Sequence, residues 1–155
     1  MIKLISKHLN KNRTIVSKDS SDFASDLAKN YNAIIHEFKS GSDFSTWVVP
    51  PEWNVNKAAL SKDGKKIYGY KDSNLFLAPY SVPFKGKISK KDLIEHTLIN
   101  SKMPDSLSYE FRLAYDFKRR LKEWRITLPL NLLESLPDGL YDIEIDVNIK
   151  PGSLK

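Results

Sequence analysis

The sequence predicts an α+β protein: a short N-terminal helical and α/β segment, then a β-rich, sandwich-like and mostly antiparallel region. Apolar residues recur at helical spacing near the start, at Ile2, Leu4, Ile5 and Leu9, and again at Phe23, Leu27 and Tyr31. Near the end, Tyr141, Ile143, Ile145, Val147 and Ile149 alternate strictly with Asp142, Glu144, Asp146 and Asn148, the period of a half-buried strand. Between them, Asp-Gly and Pro-Asp-Gly turns separate short apolar runs. With 155 residues, 41% of them hydrophobic and 28% charged, the chain is long and apolar enough to build a core.

Taken in order, residues 2–10 read as a short amphipathic helix. A second helix runs from about Asp19 to Asn30, with Asp19 or Ser20 as its cap. Ala33 to Phe38 follows as a strand, ended by Ser40-Gly41-Ser42. Val55–Leu60 and Lys66–Tyr70 flank Lys62-Asp63-Gly64, where Asp-Gly supplies the positive φ angles of a tight hairpin. Leu75-Phe76-Leu77 reads as a strand, and Pro79 and Pro83 interrupt regular pairing after it. Ser89 with Asp92 three residues on fits a capping box, opening a helix over about 90–98 that Pro104 keeps from continuing. Residues 110–123 suit either a helix or a strand and turn. Arg125–Leu128 is a strand, Pro129 starts a helical turn ending at Leu136, and Pro137-Asp138-Gly139 turns the chain into the alternating strand. Pro151-Gly152 turns it once more, and Ser153-Leu154-Lys155 begins another strand.

Several chemistries are excluded early. Cysteine is absent, so disulfides, thiolate zinc sites and cysteine nucleophiles are out. No apolar run nears the roughly 20 residues of a membrane span, and the start is not a signal peptide, so the expectation is a cytoplasmic protein with no membrane partner. His8, His36 and His96 each stand alone, without a second ligand at helical or strand spacing. No catalytic residue and no metal ligand is therefore predicted. The row Asp142, Glu144, Asp146 would suit a hard cation, but more often such a row is the wet side of an antiparallel strand.

Two clusters are candidate ligand surfaces. Trp47-Val48-Val49-Pro50-Pro51-Glu52-Trp53 is stiff and aromatic; exposed, it would stack on sugars or peptide side chains, and buried it would plug a core. The run 118–125 interleaves Lys118, Arg119, Arg120, Lys122 and Arg125 with Trp124, as a backbone-tracking nucleic-acid groove requires. The formal charge is only +6 and the lysines are scattered, which disfavours nucleic acid as a partner. The residues proposed to touch a ligand are Trp47, Trp53 and Tyr80, through apolar faces, and Arg119 and Arg120, through an anion.

Ser45 to Val55, Tyr70 to Leu75, Pro79 to Phe84, Arg119 to Trp124 with Leu128-Pro129, and Leu136 to Gly139 through Lys150 to Leu154 together resemble bacterial aminopeptidase-like proteins. These belong to the clan of co-catalytic zinc exopeptidases, the family twenty-eight metallopeptidases. The resemblance covers nearly the whole chain in order. It implies that residues 1–41 are the N-terminal piece of an aminopeptidase-like α/β core. Residues 42–150 would be a β-rich inserted accessory domain, and 151–155 the start of the return strand to the core.

The family's metal-binding segments follow that strand, so no catalytic or zinc residue carries over onto this chain. The resemblance thus implies a non-catalytic accessory region that shapes substrate access or mediates assembly, with zinc only in a full-length parent. It also associates relatives with polysaccharide biosynthesis. The partner would be the rest of a peptidase-like chain or a second copy, because the apolar faces of the first forty residues would lack the sheet they cover. A stand-alone carbohydrate-binding module is the alternative, and a weak nucleic-acid binder acting through 118–125 a further one.

Overall fold

The computed structural model describes residues 2–44, 46–109 and 122–155. The chain divides into two compact units, Met1–Val55 with Asn148–Lys155, and Asn56–Val147.

In the first unit, α1 (Ile2–His8) and α2 (Lys18–Tyr31) are followed by three short strands, β1 (Phe38–Lys39), β2 (Asp43–Phe44) and β3 (Trp47–Val48). The cap of α2 is Ser17, two residues before Asp19, and its side chain accepts from the Ser20 amide at 3.1 Å. Asp19 is diverted, accepting instead from the Asn12 amide at 2.9 Å. Asn32 closes α2 in the left-handed region, its amide donating to the Ala28 carbonyl. The predicted strand over 33–38 shrinks to β1. Its partner β10 (Ser153–Leu154) is only two residues long and reaches Phe38 and Lys39 alone. The chain's last residues thus do form a strand, antiparallel to β1.

The second unit is built on an antiparallel sheet ordered β5-β4-β9-β6, from β4 (Glu52–Lys62), β5 (Lys65–Gly69), β6 (Phe84–Ser89) and β9 (Leu140–Lys150). Asp63 and Gly64 both take positive φ, 49° and 76°, which gives the two-residue turn the twist that antiparallel strands need. Along β9, Tyr141, Ile143, Ile145 and Val147 are buried, and Ala58 and Leu60 of β4 join them. The α+β class and antiparallel pairing are as the sequence predicts.

Among the described residues of this unit, a further strand pair is a two-residue parallel ladder between β7 (Thr97–Leu98) and β8 (Ile126–Thr127). That ladder also shortens the helix expected over 90–98. The capping box of Ser89 and Asp92 starts α3 (Lys90–Glu95) as predicted, but His96 closes it and Thr97 turns to β8. Leu75-Phe76-Leu77 is not a strand. Ser73 accepts from the Leu75 amide and winds a 3₁₀ turn over Asn74–Phe76, which buries Phe76. After Pro129, α4 (Leu130–Ser135) forms where expected and ends at Leu136. Of the ambiguous stretch 110–123, residues 110–121 lie outside the described residues.

Candidate functional site

Of the five proposed ligand contacts, three lie among the described residues, and two of these, Trp53 and Tyr80, are buried. Trp53 is 1% exposed. Its amide donates to the Val16 carbonyl at 3.0 Å and its own carbonyl accepts from the Asn12 side chain at 3.5 Å. Its ring therefore fills the first unit's core and has no face to offer a sugar. Tyr80 is fully buried in the second unit, with φ at 65°, a left-handed conformation that is strained for a bulky residue. The Ser81 amide donates to Ala78 at 3.2 Å, the Val82 amide to Glu123 at 3.2 Å, and the Arg125 amide to the Ser81 hydroxyl at 3.1 Å. These bonds tie residues 78–82 to 123–125 and hold Tyr80 in that conformation. Trp47 is half-buried, in β3. Arg119 and Arg120 lie outside the described residues.

Of the basic run, Lys122 is exposed, while Trp124 is buried between rings rather than open to a base. Phe84 stacks on one side at 4.8 Å, and His96 on the other at 4.1 Å and 11° between planes. The His96 ring is further fixed by Nδ1 lying 3.0 Å from the Trp124 carbonyl oxygen. Arg125 reaches Glu123 at 3.4 Å.

Among the described residues, no three His, Asp or Glu side chains gather to hold a metal. Asp142 and Glu144 are paired with lysines across the sheet. Lys57 and Lys85 both bind Glu144, and they hold its carboxyl below the usual range. His8 is buried, its Nε2 2.7 Å from Asp26 and its ring edge-on to Phe23 at 5.1 Å. Hydrogen bonds from Lys7 and then His8 hold Asp26 below the usual carboxylate range.

That dyad orients α1 in a way the spacing did not foretell. Leu4 and His8, four apart, face inward. Ile2, Ile5 and, just past the helix end, Leu9 form a separate stripe at i, i+3 and i+7, and all three are exposed, Ile2 at 82%. Tyr31, Ile34 (84% exposed) and Ile35 add apolar surface on the same unit. Together these six side chains make an exposed apolar set on one unit. Its signal in the sequence was the doubled apolar pattern of residues 2–9, which reads as one face until a histidine is seen to occupy the inward one.

A family model described as a domain of unknown function, DUF2172, matches residues 52–148. The chain belongs to the DUF2172 family. A curated relative from Clostridium acetobutylicum bears the name "Putative polysaccharide biosynthesis protein with aminopeptidase-like domain". It is 33% identical over 123 residues, 77% of this DUF2172 chain and 26% of the relative. The crystal structure of a "putative peptidase" from Clostridium acetobutylicum matches with a TM-score of 0.84 and 28% identity. The match covers 98% of this chain and 35% of that one. The DUF2172 chain thus spans about a quarter of the curated relative's length and about a third of the solved structure's. Both relatives carry peptidase-like names, and the β-rich matched segment falls largely in the second unit.

Proposed function

We propose that this chain is a non-catalytic accessory region of an aminopeptidase-like protein, shaping substrate access to, or the assembly of, a catalytic part built from other residues. In this reading residues 1–41 belong with the catalytic α/β core, residues 42–150 are an inserted accessory domain, and 151–155 begin the return strand. The observation that carries it is the apolar stripe Ile2, Ile5 and Leu9, with Ile34, on a chain that matches only 35% of a peptidase structure. Such a stripe gains from burial, and the peptidase-like remainder of those relatives is its occupant. If the parent is a zinc exopeptidase, its zinc ligands are expected from other residues, since no three donors converge among the described residues. The absence of a long apolar helix among the described residues is compatible with a cytoplasmic parent.

The test is oxidative side-chain footprinting of the protein isolated from its native source, with the 155-residue chain alone as reference. Ile2, Ile5, Leu9 and Ile34 label strongly in the lone chain and are protected in the native protein. Equal labelling in the two refutes the reading. The intact mass then locates the partner. A mass above 17.8 kDa puts it in the same polypeptide, and a mass of 17.8 kDa makes it a separate subunit to be sought by co-purification.

A further inference from the structure

The face of the β5-β4-β9-β6 sheet opposite Tyr141 and Ile143 is not flat. Strand alternation puts Lys57, Ala59 and Ser61 of β4 on it, beside Asp142 and Glu144 of β9 and Lys85 and Lys87 of β6. Small residues in the middle and long ones around them leave an open cavity of about 450 Å³. This is within the range of small-molecule sites, roughly 300–1,000 Å³. Ala59, Ser61 and Gly86 line its floor, and Lys57, Lys66, Lys85 and Lys87 stand around it.

The charges there are unbalanced. With Lys66 paired to Asp72 outside the lining, the three ammonium groups of Lys57, Lys85 and Lys87 face two carboxylates, those of Asp142 and Glu144. Glu144 serves two lysines at once, Lys57 and Lys85, the latter at 3.1 Å. Lys87 is 4.0 Å from Asp142, at the limit of an ion pair, and Lys66 turns to Asp72 at 2.8 Å. Glu144 therefore stands where an incoming anion would stand, held by a pair of cations that one carboxylate does not neutralise.

We propose that this cavity binds a small, multiply charged anion, phosphorylated or carboxylated, about the size of a sugar phosphate. Lysines act as rotatable point charges rather than as planar forks, so the site selects for the number of charges more than for their geometry. The binding is electrostatic at an exposed surface and weakens with added salt. It does not depend on the docking role assigned to the first unit.

The experiment is a titration of the full chain with pyrophosphate and, in parallel, with citrate, followed by amide NMR shifts up to about 10 mM, enough to reveal a Kd of about 1 mM. The amides of Ala59, Ser61 and Gly86 shift together and saturate. Saturation by pyrophosphate alone assigns a phosphorylated ligand, by citrate alone a carboxylated one, and by both a site reading charge only. K57Q/K85Q weakens binding, and E144Q tightens it, by roughly fivefold per charge removed at contact distance in water. Amides remote from the sheet report whether each variant is folded. Shifts that never saturate, that fall equally on exposed lysines such as Lys3 and Lys29, or an E144Q variant that binds no tighter would overturn the proposal.

Discussion

Trp53→Ala separates packing from ligand contact, because the ring is 1% exposed and is the largest fully buried side chain. Removing a buried aromatic ring to Ala costs about 3–5 kcal/mol, the transfer of the lost atoms plus the cavity they leave. Trp53 sits near the upper end, since its backbone donates to the Val16 carbonyl and accepts from the Asn12 side chain, which fixes its neighbourhood and limits collapse. In a chain of 155 residues each kcal/mol moves the melting temperature by about 2–4 °C, so a cost of about 5 kcal/mol gives an expected drop of about 10–20 °C. Calorimetry is the assay, because the substitution removes a fluorophore. A melting temperature within about 2 °C of the parent would refute the reasoning, because a ring so buried cannot be deleted without a cavity cost.

Gly69→Ala should also destabilise, by about 1–3 kcal/mol, because a Cβ there would sit 2.7 Å from the Ala58 carbonyl oxygen of the paired strand; chemical denaturation measures it. Ser89→Ala removes one half of the capping box and should cost about 1 kcal/mol by the same assay, with Ser89→Asp recovering most of it. The carboxyls of Asp26, Asp92 and Glu144 are all held below their ordinary range, Asp26 chiefly by Lys7, Asp92 by Ser89, and Glu144 by Lys57. A lowered folded-state pKa gives stability that is present above the unfolded value and lost as pH falls through the folded one. Thermal scans should therefore show stability declining from about pH 5 downward, and Asp26→Asn should flatten that slope.

What the sequence revealed about the fold is what a few neighbouring residues decide. Asp63-Gly64 turns a hairpin because both residues accept positive φ, Ser89 and Asp92 satisfy each other's backbone, and β9 alternates because one face is wet. The failures share a different cause. Residues 33–37 and 75–77 are apolar enough for strands, but a strand needs a partner. β10 supplies only two residues, and Ser73 captures the Leu75 amide first. Tyr80 illustrates the limit for the candidate site. Nothing in its neighbours Pro79 and Ser81 announces a left-handed backbone or a buried ring, because both follow from hydrogen bonds to residues more than forty positions away. The aromatic content that made Trp53 and Tyr80 look like a ligand face is equally the content of a core, and only burial separates the two.

The same reasoning gives the N-terminal stripe its weight. Spacing alone shows that Ile2, Leu4, Ile5 and Leu9 are apolar, not which of them a given neighbour covers. In this chain the inward position goes to His8, whose Nε2 meets Asp26, and the ion pair that accompanies it, Lys7 with Asp26, is exposed on the lysine side. Exposed pairs of this kind contribute about 0–1 kcal/mol. Burying an isoleucine side chain contributes about 1.5–3 kcal/mol, so covering Ile2 and Ile34 alone would be worth roughly 3–6 kcal/mol. The larger contribution is the one left unrealised in the lone chain. The polar contacts of α1 accompany an orientation that leaves the outward stripe uncovered, and under the proposed function that stripe is where docking of the catalytic part would gain most.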